Sequence, residues 1–228
     1  ANAIELATIE IENVAKNKEL ENSLKNIEDY SWAIFTSANA VESVFNFMHK
    51  LGMDSRIFKG IGVAAIGPAT SSSLLTYGIN ADFIPKTFTV DSMAQEFKKM
   101  SLENQRVFLP QSDIAPETLR NSLVTSGALV DAIVTYKTII PKDEIISANS
   151  IITSGTLDMV TFTSSSTVSN LKAMLGGDMA LLKEIRIASI GPITSQTVRD
   201  LGFEVTAEAE ESTIPGLVSA ILNSFGQK

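Results

Sequence analysis

The sequence predicts an α/β protein of two similar doubly wound parallel-sheet domains, joined by a two-stranded β ladder, with an active-site cleft between them. Three observations predict it: a repeat at long range, a strand-turn-helix order inside each copy, and two alternating segments that no helix follows. Ala33-Ile34-Phe35-Thr36-Ser37-Ala38-Asn39-Ala40-Val41 returns as Val160-Thr161-Phe162-Thr163-Ser164-Ser165-Ser166-Thr167-Val168. Val63-Ala64-Ala65-Ile66-Gly67-Pro68-Ala69-Thr70-Ser71 returns as Ile187-Ala188-Ser189-Ile190-Gly191-Pro192-Ile193-Thr194-Ser195. A period of this length is that of a domain, not of a solenoid unit.

In the first copy, Trp32 to Phe35 reads as a buried strand and Thr36 to Asn39 as a turn. Val41, Val44, Phe45 and Met48 then fall on one face of a helix. Gly62 to Ile66 is a second strand, Gly67 to Thr70 a turn, and Ser71 to Tyr77 a helix that Gly78 closes. Val107 to Leu109 is a third strand, Pro110 to Asp113 a turn, and Pro116 to Ser126 a helix ending at Gly127. Strands alternating with helices imply parallel sheets covered on both faces.

Ala3 to Ile11 and Leu129 to Thr138 alternate polar and apolar residues with no helix after them. They are expected to pair as a two-strand bridge. The expected division is 13–128 for the first domain, 1–12 with 129–140 for the bridge, and 141–228 for the second domain.

Composition removes several chemistries. The formal charge is −8, from 18 basic against 26 acidic side chains, and no block of Lys or Arg occurs, so neither nucleic acid nor anionic membrane is an expected partner. No apolar stretch approaches the roughly 18 residues that span a bilayer, and the first residues carry no signal pattern, which predicts a cytoplasmic protein. With no cysteine, thiol nucleophiles and thiolate metal sites are excluded, and with a single histidine neither serine-histidine hydrolysis nor a histidine-rich metal site is expected. His49 is expected on the surface near a helix end. Neither a metal nor a cofactor is expected, and no Gly-x-Gly-x-x-Gly or Gly-x-x-x-x-Gly-Lys-Ser/Thr run supports a nucleotide site.

Ligands of doubly wound sheets bind outside the carboxyl ends of the strands. Five corners lie there: Thr36 to Asn39, Pro110 to Asp113, Thr163 to Ser166 and the two Gly-Pro turns at Gly67 and Gly191. Each presents N–H groups and hydroxyls at a helix N-terminus, where carboxylates are held without lysine or arginine. Ser and Thr there are also ordinary helix N-caps. Four of the five corners are two motifs present once per domain, so a cleft lined from both sides follows. The acidic run Glu208, Glu210 and Glu211 reads as a solvated face.

Phe35-Thr36-Ser37 with Val41, Ile66-Gly67-Pro68 with Thr70, Thr135-Tyr136-Lys137-Thr138 before Pro141, Phe162 to Val168, and Ile190-Gly191-Pro192 with Thr194 resemble uroporphyrinogen-III synthase, in the family's order. The resemblance covers nearly the whole chain and lies in the ordered set of short motifs. It implies that the first domain is inserted into the second. The implied substrate is the linear tetrapyrrole hydroxymethylbilane, with eight carboxylates. The implied reaction loses the terminal hydroxyl as water, inverts the last pyrrole ring through a spiro intermediate and closes the macrocycle.

Tyr136 matches the family tyrosine proposed to assist loss of the hydroxyl; its other reading is an aromatic that packs between domains. Ser37, Ala38, Thr70, Gln111, Ser112, Ser164, Ser165, Ser166, Pro192 and Thr194 are the expected substrate-binding residues. Family members begin with a strand, a Thr-Arg turn and a helix ahead of the segment resembling Ala3 to Ile11, and such a segment is expected to precede Ala1. A monomer is expected. The alternative is a two-domain α/β binding protein for a small polyanion, which would show the same corners without needing Tyr136.

Overall fold

The computed structural model describes residues 2–226; Ala1, Gln227 and Lys228, at the ends of the expected spans, lie outside the described residues. The chain forms two compact units, one of residues 11–138 and one of residues 1–10 with 139–228.

The unit of residues 11–138 is built on a sheet of strands β1 (Glu10–Asn13), β2 (Trp32–Phe35), β3 (Gly62–Ala65), β4 (Arg106–Ser112) and β5 (Leu129–Ile139), in the order β1-β5-β4-β2-β3. The pairs β2–β3, β2–β4 and β4–β5 are parallel. Alternation along the strands sends side chains to two cores. Ala33, Phe35, Val63 and Phe108 pack on one face under α1 (Lys18–Lys25), α2 (Ala38–Lys50) and α3 (Pro68–Thr76). Ile34, Ala64, Val107 and Leu109 pack on the other face against α4 (Val90–Lys98) and α5 (Thr118–Thr125). These apolar runs are continuous because both faces are covered.

The other unit carries the parallel strands β6 (Met159–Phe162), β7 (Arg186–Ser189) and β8 (Ala207–Glu208) in sequence order. Phe162 and Ile187 pack on one face against α6 (Lys142–Thr153), α7 (Ser165–Met174) and α8 (Pro192–Asp200). Ala188 and Ala207 face α9 (Ile214–Gly226) on the opposite side through Leu217. No helix among the described residues is long and apolar enough to cross a membrane.

Four local expectations are corrected. Ala3 to Ile11 is not one strand: only β1 is extended and paired, and residues 2–9 have no regular structure. Their alternation meets no partner ladder. Leu6 packs against the core under α6 and α7, while Ile4 and Ile9 stay exposed. Leu129 to Thr138 is not a two-strand bridge alone: β5 does neighbour β1, as expected of the two segments, but it also pairs with β4 from Arg106↔Leu129 to Ser112↔Tyr136 and so belongs to the sheet. Pro110 to Ser112 is strand, not turn. Pairing of β2 with β4 ends at Phe108, so beyond it β4 has β5 alone as a neighbour, and a proline without an N–H is tolerated on an edge. The Gly-Pro turns are already helical at proline: α3 starts at Pro68 and α8 at Pro192, since proline's fixed φ suits the first helical position.

Candidate active site

In residues 11–138, the ends of β2, β3, β4 and β5 place Ser37, Thr70, Ser112 and Tyr136 along one edge of the sheet. Ser37 is the N-cap of α2. Its side chain has extended backbone beneath it (φ −158°, ψ 156°) and accepts the Ala40 N–H at 3.0 Å. The same Oγ lies 3.0 Å from the Tyr136 hydroxyl. Tyr136 is buried, its ring part of the core beneath α2, so only the hydroxyl reaches this corner. Ser43 Oγ, nearly two turns further along α2, donates to the Thr135 carbonyl at 2.7 Å and ties the helix to the strand that carries Tyr136.

On β4 a bulge between Gln111 and Ser112 brings Ser112 opposite Tyr136. Ser112 Oγ accepts the Ile114 N–H at 3.1 Å, the Asp113 N–H donates to the Tyr136 carbonyl at 3.2 Å, and Asp113 Oδ1 accepts the Thr138 N–H at 3.1 Å. Gln111 and Ala38 are half-buried at this edge. Thr70, in the first turn of α3, is buried, while Pro68 and Ala69 beside it are exposed. The side chains exposed at that corner, proline and alanine, carry no hydrogen-bonding group.

In the other unit, Ser164 caps α7 with a capping box: its Oγ accepts the Thr167 N–H at 3.2 Å and the Thr167 hydroxyl accepts the Ser164 N–H at 3.4 Å. Ser164 Oγ lies 2.8 Å from Ser166 Oγ. Ser165 Oγ donates to the Ile193 carbonyl at 3.3 Å, which joins this corner to the start of α8. Thr194 is buried like its counterpart Thr70, and Pro192 and Ile193 are exposed. The corners therefore form two groups: Ser37, Ala38, Thr70, Gln111, Ser112 and Tyr136 in one unit, and Ser164, Ser165, Ser166, Pro192 and Thr194 in the other.

The family model for uroporphyrinogen-III synthase HemD matches residues 1–219. The chain belongs to this family. It is 31% identical to the uroporphyrinogen-III synthase of Synechococcus elongatus over 229 residues, which covers 97% of this chain and 85% of that one. Its fold is similar to a crystal structure of a mutant uroporphyrinogen III synthase from the extremely thermophilic bacterium Thermus thermophilus, with TM-score 0.61 and 15% identity over 96% of this chain and 88% of that chain. The uroporphyrinogen-III synthetase of Helicobacter pylori 26695 gives TM-score 0.61 at 16% identity, covering 94% and 90% of the two chains.

Ser43 escaped the sequence reading, as did the contacts of Asp113 and Thr167, which stand in the Pro110 to Asp113 corner and the Phe162 to Val168 run. Ser43 and Asp113 act across 92 and 25 positions on β5, and nothing local marks such contacts. Thr167 carried a signal, since it stands three residues after the Ser164 cap. His49, exposed in the last turn of α2, and the exposed Glu208, Glu210 and Glu211 take no part, and among the described residues no three His, Asp or Glu gather to hold a metal ion.

Proposed function

We propose that this chain converts hydroxymethylbilane to uroporphyrinogen III, a lyase reaction that loses water and inverts the last pyrrole ring. The observation that carries the reading is the Tyr136 hydroxyl delivered to a serine-capped helix corner at the carboxyl edge of a parallel sheet. A phenol there can donate to a departing hydroxyl. The C–O bond breaks with its electron pair on oxygen, the phenol proton joins that oxygen, and water leaves. The pyrrole's own electrons stabilise the remaining methylene cation. The proton returns when the free ring carbon loses its hydrogen at closure. Since the pyrroles drive departure, the enzyme's principal task is to hold one folded conformation of the chain.

The carboxylates are assigned to the corners. Ser164, Ser165 and Ser166 supply hydroxyls, Gln111 its amide, and Ala38 and Ser112 their neighbouring N–H groups. Thr70 and Thr194, being buried, contribute through the main chain of their helix first turns, and Pro192 holds its turn in the conformation that exposes those amides. The proposed setting is a cytoplasmic monomer without cofactor. A polyanion-binding module would use the same corners but would leave Tyr136 without a role.

The test is incubation with hydroxymethylbilane and separation of the product isomers. Uroporphyrinogen III is expected. The unassisted reaction gives the symmetric isomer I, so isomer I alone would overturn the reading.

A further inference from the structure

Ser37 and Ser164 hold equivalent places in the two copies, each an N-cap accepting the N–H three residues on. Their second contacts differ. The Ser164 hydroxyl faces the exposed Ser166 hydroxyl, whereas the Ser37 hydroxyl faces the buried phenol of Tyr136. Either oxygen of the Ser37–Tyr136 pair can donate to the other, and the serine-to-phenol direction is the one that frees the phenol hydrogen. Ser37 has one hydrogen and two lone pairs. One lone pair takes the Ala40 N–H at the positive end of α2, which repels the serine's own hydrogen outward. Among the described residues, the only other side-chain atom within hydrogen-bond distance of that hydroxyl is the Tyr136 oxygen. Donation from Ser37 to Tyr136 satisfies it and leaves the phenol hydrogen for a third group.

We propose that Ser37 is a positioning residue for Tyr136: it donates to the phenolic oxygen, turns the phenol hydrogen toward the departing hydroxyl, and stabilises the negative charge left on that oxygen when the proton moves. This rests on Tyr136 being the proton donor of the proposed reaction. Ala40 N–H to Ser37, Ser37 O–H to Tyr136, and Tyr136 O–H to substrate then form one polarised chain, strongest when charge develops at its middle. It also divides the duplicated corners by task. The Ser164 copy keeps its hydroxyls for carboxylates, and the Ser37 copy has given its hydroxyl to the acid.

Steady-state kinetics on hydroxymethylbilane test this with Ser37→Ala, Ser37→Thr, Ser37→Asp, Tyr136→Phe and the double variant Ser37→Ala/Tyr136→Phe. Tyr136→Phe should lower kcat about 100-fold, the low end for loss of a general acid. Ser37→Ala should lower kcat about tenfold, as for one hydrogen bond to a charged group, with KM within about twofold. Ser37→Thr, which keeps the cap and the donor, should recover most of that loss. Ser37→Asp keeps the cap and hence the fold but can only accept, so it should lose at least as much kcat as Ser37→Ala. In the Tyr136→Phe background, Ser37→Ala should cost no further kcat.

A raised KM with intact kcat in Ser37→Ala would return Ser37 to carboxylate binding and overturn the proposal. Equal kcat losses from Ser37→Ala in both backgrounds, or a fully active Ser37→Asp, would overturn it as well. Full activity of Tyr136→Phe would instead overturn the reading of Tyr136, and the inference with it.

Discussion

Tyr30 and Tyr136 are both buried phenols of the same unit, and their partners give them opposite tasks. The Tyr30 hydroxyl donates to Asp131 at 2.5 Å and has Ser23 Oγ at 2.8 Å, while Arg106 lies over its ring at 4.6 Å and donates to the same carboxylate at 2.9 Å. Burial first, then the bond to the Asp131 carboxylate, pushes the Tyr30 pKa up to about 12. The neutral phenol is thus the form the fold holds. Its contribution to stability is complete below the ordinary value near 10.0 and is lost as pH rises from there toward about 12. Tyr30→Phe should cost about 1–2 kcal/mol at pH 7, as for a buried hydrogen bond removed. Between pH 10 and 12, urea midpoints should fall more steeply for the parent than for the variant; parallel curves would show that this phenol is not the titrating group. Ser37 stands out in the sequence because its Phe-Thr-Ser phrase recurs at Phe162 to Ser164, whereas Tyr136 is marked only by the family resemblance of the phrase around it. The Tyr30 cluster was not legible, since Tyr30 and Asp131 are 101 positions apart and only the sheet order brings them together.

Elements at the corners were legible because their chemistry is local. Serine before a helical run and glycine after the last turn act within about four residues, and the Ser37 and Ser164 caps and Gly78 (φ +79°) are found where those signals stand. The misread strand Ala3 to Ile11 lacked such an anchor. Period-two alternation states which way side chains point but not whether a partner strand exists to receive the backbone. Strand pairing also holds one tight contact that no local pattern announces: Gly62 lies beside Trp32 in the β2–β3 register, and a Cβ there would stand 2.6 Å from the Trp32 ring. Gly62→Ala should therefore destabilise by about 1–3 kcal/mol through overpacking, measured by denaturant unfolding; a neutral effect would mean that the indole moves aside freely. At α7 the cap and the proposed carboxylate site share one side chain, and two substitutions separate them. Ser164→Ala should lose about 1 kcal/mol of stability with the capping box. Ser164→Asp should keep that stability and raise KM for an anionic substrate by like-charge repulsion; an unchanged KM would remove this corner from the binding surface.

At the scale of the whole molecule, 26 acidic side chains against 18 basic ones oppose the approach of the proposed substrate with its eight carboxylates. None of the five corner segments contains lysine or arginine. On the proposed site, attraction comes from N–H and O–H groups at short range, where helix termini act within a single turn. The long-range field has the opposite sign. Salt separates the two contributions: the Debye length shrinks from about 30 Å at 0.01 M to about 8 Å at 0.15 M, so repulsion from charges spread over the protein is screened while contacts of about 3 Å are barely altered. Raising ionic strength across that range should lower KM for hydroxymethylbilane, or leave it level, with kcat unchanged. A site gripping carboxylates through exposed cations would behave in reverse, its KM climbing with salt as those attractions are screened. A KM that climbs severalfold between 0.01 and 0.15 M would therefore show that cationic side chains, not helix-terminal amides, hold the substrate.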